Sequence, residues 1–228
     1  MIDLWERAAP ARPIDRATAI LTAAWPELSD DAVADLPIGA RDRLLLTARA
    51  ACFGPLLEAK AACPACGGAI ELSFDIRGAL AAPVPPATLS VALDGAAVDC
   101  RLPAGRDLAA LAAAGLEGRA AERFLVERCA GHAGSRPLSD QEIDDLGDSI
   151  AHADPWNELI LSAECPECGG AAELLLDPLG VLWAEIEAKV RGLMFAVARL
   201  AHAFGWREVD ILGMSEVRRR AYLAMVPA

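Results

Sequence analysis

The sequence predicts an α+β fold that is predominantly helical, with a repeated pair of β-hairpins at its centre and one further β-hairpin. Three observations predict it. The motif Cys63-Pro64-Ala65-Cys66-Gly67-Gly68 returns as Cys165-Pro166-Glu167-Cys168-Gly169-Gly170, and each copy has short apolar stretches on either side. Aligning 57–80 with 159–182 gives identity at about half the positions, which makes this an internal repeat. The matches include both cysteines, the proline and both glycines of the motif, and also Glu71 with Glu173, Leu72 with Leu174 and Asp75 with Asp177. Finally, 179–204 carries the longest run of helical periodicity in the chain.

The 228 residues suffice for one sizeable core, or for one domain carrying an insertion. Although 54% of them are hydrophobic, no apolar run reaches the roughly 18 residues that a membrane-spanning helix needs, so the alanine and leucine fill a core and no membrane partner is expected. The N-terminus, MIDLWERAAPARPID, has acidic residues and lacks the apolar segment of a signal peptide, which places the protein in the cytoplasm on this reading. The net charge of −12 counts against a nucleic-acid partner, because such binding relies on basic residues displacing counterions from phosphate.

In chain order, residues 1–55 read as an N-terminal helical cap. Ile14, Ala17, Ile20, Leu21 and Ala24 have helical spacing between Pro13 and Pro26. Asp30 to Leu36 reads as a short helix or turn, and 40–52 as a third helix ended by Gly54-Pro55. Residues 56–80 and 157–178 form the split core of two hairpins. In the first, Leu56 to Ala62 enters the motif, and Ile70, Leu72, Phe74 and Ile76 alternate with polar residues as a half-buried strand. In the second, Leu159 to Glu164 and Ala172 to Asp177 do the same.

The inserted segment, 81–156, opens on Pro83, Pro85 and Pro86. A hairpin follows, with Thr88 to Leu93 and Ala96 to Leu102 turning at Asp94-Gly95 so that Val91 and Leu93 share a face with Val98 and Cys100. Three helices come next, Arg106 to Ala114, Glu117 to Ala130 and Asp140 to Ala153, the last with a Ser139/Glu142 capping box. Residues 179–228 close the chain. The long helix there has an apolar stripe of Leu179, Leu182, Trp183, Ile186, Val190, Leu193, Met194, Val197, Leu200, Ala201 and Phe204, and Gly205 stops it. Trp206 to Leu212 and Ser215 to Val226 read as short terminal helices.

The chemistry lies in the two CPxCGG knuckles. Two thiolates separated by two residues grip one side of a metal ion, while the glycines allow backbone N–H groups to turn toward the sulfurs. Cys63, Cys66, Cys165 and Cys168 therefore make one complete tetrahedral set, and the two hairpins form a zinc-ribbon-like pair related by a pseudo-twofold. Four thiolates leave no position for water, so the ion is structural, with no catalytic role. Zinc suits the site, and a rubredoxin-like iron held by the same knuckle is not separated from it by spacing.

No residue is assigned a catalytic role and no small molecule or organic cofactor is expected. His132, His152 and His202 are far apart in sequence, and no nucleophile elbow, Walker loop, dinucleotide fingerprint or HExxH motif is present. Cys52, Cys100 and Cys129 read as small buried hydrophobes, and Asp144, Asp145 and Asp148 as a solvated helix face. The five tryptophans read as core or edge packing. Arg218, Arg219 and Arg220 read as a solvated face or as a complement to a helix C-terminus.

The segments CRLPAGRDLAALAAAG, ERFLVERCAG, ADPWNELILSAECPECGG and LGVLWAEIEAKVRGLMFAVARLAHAFGWREVDILGMSEVRRRAYLAMV resemble a family encoded in the baseplate gene clusters of contractile phages and phage-tail-like injection systems. That family is related to the T-even phage baseplate hub proteins described as hub assembly chaperones. The resemblance runs from about residue 40 onward, and the paired knuckles and the terminal GW…ILxMSxxRRRxYL pattern carry most of it. It implies a non-enzymatic factor that assists assembly of the baseplate or hub, or forms a minor part of it, in the cytoplasm or inside a virion or tail-like particle. It also implies baseplate or hub proteins as partners and the four knuckle cysteines as metal ligands. Two further readings stand beside it, a nucleic-acid-binding zinc ribbon and a rubredoxin-like iron redox module.

Overall fold

Each strand pairs only with its sequence neighbour among the described residues, so the chain carries three separate antiparallel hairpins within a helical body. The computed structural model describes residues 1–93, 96–131, 137–156 and 158–226. The N-terminal helices are α1 (Ile2–Ala8), α2 (Pro13–Ala24), α3 (Asp30–Asp35) and α4 (Ile38–Phe53). The first knuckle hairpin is β1 (Leu56–Ala62) and β2 (Ala69–Asp75), followed by α5 (Ile76–Leu80). Next come β3 (Thr88–Leu93), β4 (Ala96–Arg101), α6 (Gly105–Ala114), α7 (Gly118–Ala130) and α8 (Asp140–Ala153). The second knuckle hairpin, β5 (Leu159–Glu164) and β6 (Ala171–Leu176), leads into α9 (Pro178–Phe204), α10 (Glu208–Leu212) and α11 (Glu216–Met225).

The main core lies between the N-terminal helices and the first half of α9. Ala17, Ile20 and Leu21 of α2, Val33 of α3 and Leu45 of α4 bury against Leu182, Trp183, Ile186 and Val190. The helices α1, α2 and α3 are too short to be stable alone, and α9 supplies the apolar face that they and α4 pack on. Arg16 fastens α1 to this core. Its guanidinium donates to the Ala8, Ala9 and Ala11 carbonyls at the end of α1 and lies 4.3 Å from the Trp183 ring centroid. A second core, Leu93, Cys100, Val126, Ile143 and Leu146, joins the β3–β4 hairpin to α7 and α8.

The two knuckle hairpins share one register. Leu57 opposes Phe74 and Lys60 opposes Glu71 in the first, as Leu159 opposes Leu176 and Ser162 opposes Glu173 in the second. The correspondence continues past the strands. Asp75 precedes α5 and caps it by accepting from the Arg77 N–H at 3.0 Å, and Asp177 precedes α9 at the matching place. Each repeat is thus a hairpin followed by a helix. The first helix stops after one turn and the second runs on for 27 residues.

This arrangement corrects the expectation that Ile76 ends a strand. Its alternation with Phe74 is real and it is fully buried, but it is the first residue of α5, because the Asp75 carboxylate accepts from the Arg77 N–H in the first turn of that helix. Cys52 also departs from expectation, since it is exposed, whereas Cys100 and Cys129 are buried. The α9 stripe departs further on. Met194 and Phe204 are 46% and 41% exposed, because the N-terminal helices end before they reach them. Trp206 lies in the link before α10. The Asp94-Gly95 turn and His132 lie outside the described residues. The Ser139/Glu142 capping box is present, with Glu142 N–H to Ser139 Oγ at 3.3 Å and Ser139 N–H to Glu142 Oε2 at 2.7 Å.

Candidate metal centre

In each knuckle the backbone folds the two cysteines toward one point. The Cys63 N–H donates to the Gly68 carbonyl (2.7 Å) and the Gly67 N–H to the Cys63 carbonyl (2.9 Å). The Cys165 to Gly170 and Gly169 to Cys165 bonds repeat this at 2.9 Å each. Gly67 and Gly169 have φ of +77° and +68°, where a side chain is strained, so the second glycine-bearing turn depends on them as the first does. The Gly68 N–H also points at Cys66 Sγ, at 3.4 Å. A Cβ on Gly170 would sit 3.3 Å from Cys168 Sγ, and one on Gly68 would meet the Glu167 carboxylate of the other knuckle at 2.6 Å.

The four sulfurs lie within 4.8 Å of one another. Cys63 Sγ approaches Cys168 Sγ at 3.9 Å and Cys66 Sγ approaches Cys165 Sγ at 3.6 Å. Exchanging the knuckles maps one of these approaches onto the other, the pairing that a pseudo-twofold requires. A tetrahedral ion with metal–sulfur bonds of about 2.3 Å places its ligands about 3.8 Å apart, so the spacing fits one ion. It does not fit disulfides, which need about 2.05 Å. The four cysteines are positioned to hold one metal ion.

The first cysteine of each knuckle, Cys63 and Cys165, is buried, and the second, Cys66 and Cys168, is exposed. Ile70 and Ala172 are buried beside the buried pair, with Leu72, Ala163 and Leu174 packed against them. The centre therefore has an apolar floor and a solvent-facing lip. The electrostatics call for a cation. Backbone N–H groups of Cys66, first, and Ala65 hold the Cys63 thiol down to about 7. The Gly68 N–H favours the Cys66 thiolate too, but the Cys165 and Cys168 sulfurs beside it outweigh that and push the Cys66 thiol up to about 12. One thiolate among four sulfurs opposes the next, and a divalent ion at their centre removes that opposition.

The hairpins are held at their bases by residues that sequence reasoning did not single out. Arg49, on α4, is buried. Its guanidinium grips Glu185 of α9 with both faces of the fork (2.9 and 2.6 Å) and donates at 2.7 Å to the carbonyls of Gly54 and Leu56. It therefore ties the start of the first knuckle hairpin to the helix that follows the second. Asp154 does comparable work from the end of the insertion. Its carboxylate, 2% exposed, accepts from the Gly39 N–H (3.0 Å) at the N-terminus of α4 and from the Trp156 N–H (3.2 Å). Arg49 is one of three arginines in α4 and nothing near it in sequence marks it for burial, and the Asp154 cap joins positions 115 residues apart, so neither carries a local signal.

The remaining sequence candidates are dispersed. His152 and His202 are exposed on different helices, with His152 Nδ1 against the Asp148 carbonyl at 2.8 Å. Asp144, Asp145 and Asp148 lie exposed on α8, where Asp144 pairs with Arg119 and Asp145 accepts from Gln141. Arg219 donates to the Ile211 and Met214 carbonyls at 3.2 and 3.3 Å, at the C-terminal end of α10, while Arg220 pairs with Glu216 and Arg218 lies 5.7 Å from the Tyr222 ring. Among the described residues no helix is long and apolar enough to cross a membrane. The chain matches no family model, no curated protein and no solved structure, so the metal centre and the surfaces it organises carry the functional reading.

Proposed function

We propose that this chain is a non-enzymatic protein-binding factor that assists assembly of, or forms a minor part of, the baseplate or hub of a contractile phage tail or phage-tail-like injection system. Its four-cysteine centre holds one structural zinc ion, in a zinc-ribbon-like pair of hairpins. The observation that carries the structural role of the metal is the closed ligand set. Cys63, Cys66, Cys165 and Cys168 occupy all four positions of a tetrahedral ion, leaving none for water or substrate. The metal then acts through folding. It joins segments about 100 residues apart, and the inserted module between them is closed at both ends, by the ion at the hairpin tips and by Arg49 and Asp154 at the base.

The tail assignment rests on the resemblance of the segments that bear the knuckles, α6, α7 and the C-terminal helices, and the net charge of −12 supports a protein over a nucleic-acid partner. The test is purification of the tagged chain after co-expression with baseplate and hub subunits of a contractile tail from the same source, followed by metal analysis of the complex. Stoichiometric zinc and co-purification of a baseplate or hub subunit are the expected results. A protein that carries iron, with a red colour and reversible reduction, overturns the zinc assignment. Failure to retain any of those subunits overturns the assembly role.

A further inference from the structure

The two knuckle hairpins are alike on the side they turn inward and unlike on the side they turn outward. Facing inward, Leu57, Ala59, Leu72 and Phe74 of the first match Leu159, Leu161, Leu174 and Leu176 of the second, and all are buried or half-buried. On the outward face the cross-strand pair Glu58 and Ser73 of the first corresponds to Ile160 and Leu175 of the second. Ile160 and Leu175 are 51% and 70% exposed. The hairpin itself does not call for them, since the first copy keeps the same register with a glutamate and a serine there. The next outward pair toward the tip differs too. Lys60 and Glu71 form an ion pair across the strands of the first hairpin. In the second, Ser162 stands opposite Glu173 in place of the lysine, and the Glu173 carboxylate has no hydrogen bond or ion pair among the described residues. The exposed carboxylates of Glu158, just before β5, and Glu164, at its end, also have none among the described residues. The second hairpin thus shows solvent an apolar cross-strand pair bordered by uncompensated carboxylates, where its twin is polar and internally paired.

Those carboxylates select the occupant. A second copy meeting the chain through the same face would set glutamate against glutamate, and an anionic membrane or a nucleic-acid backbone would meet the same repulsion. A basic protein segment instead supplies to Glu173 what Lys60 supplies to Glu71 in the first hairpin. We infer that the outward face of the second hairpin, centred on Ile160 and Leu175, docks a protein partner through a segment that carries apolar side chains between lysines or arginines. This deepens the protein-binding reading and rests on it.

The test uses the full, metal-loaded chain and a fluorescent synthetic peptide with leucine and valine at its centre and lysines on both sides. The expected result is saturable binding that weakens with salt. The double variant Ile160→Thr/Leu175→Ser leaves the charge unchanged and gives this pair the polar character that the first hairpin tolerates, and it should weaken binding at least about tenfold. Glu158→Gln/Glu173→Gln should weaken it at low salt and have little effect at high salt. Both variants should keep the circular dichroism spectrum and the metal content of the wild type. Equal or tighter binding of the same peptide with glutamates in place of its lysines overturns the inference, as does wild-type affinity in Ile160→Thr/Leu175→Ser, or dimerisation of the free chain that this variant abolishes. Loss of the fold or of the metal in that variant overturns it too, because the pair is then structural. If the peptide fails while tail subunits still co-purify, the docking face is wrong and the assembly role stands; if the peptide binds and no tail subunit co-purifies, the reverse holds.

Discussion

Replacing Arg49 with methionine keeps most of the side chain's length and removes its five donors. In the native protein this side chain is 4% exposed and Glu185 is 28% exposed. Two bonds to Glu185 and one each to the Gly54 and Leu56 carbonyls are lost together. Removing one partner of a buried pair costs about 3–5 kcal/mol, because the other is left desolvated and unpaired. Glu185 keeps a path to water, which favours the lower end, so the expected loss is about 3 kcal/mol, or roughly 9 °C in melting temperature for a chain of this size. Urea unfolding of the metal-loaded protein under reducing conditions measures it. Because Arg49 also fixes the base of the first knuckle hairpin, a chelator competition should show weaker metal binding in the same variant. Adding Glu185→Met removes the stranded carboxylate and should recover more than half of the stability. A loss below about 1 kcal/mol, or no recovery in the double variant, refutes the reasoning that this pair is a buried, mutually dependent clamp.

Three other outcomes are expected. Cys63→Ser removes a buried ligand and should lower both metal stoichiometry and melting temperature, whereas Cys52→Ser, at an exposed position away from the centre, should change neither; a Cys63→Ser protein that retains its metal and its melting temperature contradicts the single four-cysteine site. Gly39→Ala places a methyl group inside the Asp154 carboxylate, so that the cap on α4 and the Trp156 contact are both lost, and thermal unfolding should show about 2 kcal/mol of destabilisation. Burial favours protonation of Asp107, but the Arg101 and Arg128 guanidinium groups and the Ala104 N–H outweigh it and hold the carboxyl at about 2. A carboxyl depressed in the folded state stabilises the protein above its unfolded value of about 3.9 and loses that contribution as pH falls through the folded one. The stability difference between wild type and Asp107→Asn should therefore be steady above about pH 4 and shrink by about 2 kcal/mol toward pH 2; a difference that does not change across that range removes the electrostatic account of this cluster.

The residues that announced themselves in the sequence are those whose conformation is fixed by near neighbours. Both knuckles, the strands beside them, the Ser139/Glu142 box and the stop of α9 at Gly205 follow from turn chemistry and alternation within a few residues. The repeat was legible for the same reason. Its extension into two helices was not, because Ile76 satisfies an alternating pattern as well as it satisfies a helix start, and only the bond from the Arg77 N–H to Asp75 decides between them.

Sequence by itself thus determined which cysteines meet and that two similar hairpins carry them, since spacing and glycine placement encode a metal knuckle locally. Tertiary structure decided what the four-cysteine site is joined to. Arg49 reaching Glu185 across 136 positions, Asp154 capping α4 from the far end of the insertion, and the run of α9 past the last N-terminal helix depend on which surfaces lie opposite one another. Periodicity marks a face as apolar, but whether that face is covered is settled by long-range packing. The stripe has one pattern along its whole length, with its first half in the core, whereas in its second half Leu200 is buried and Met194 and Phe204 are open to solvent.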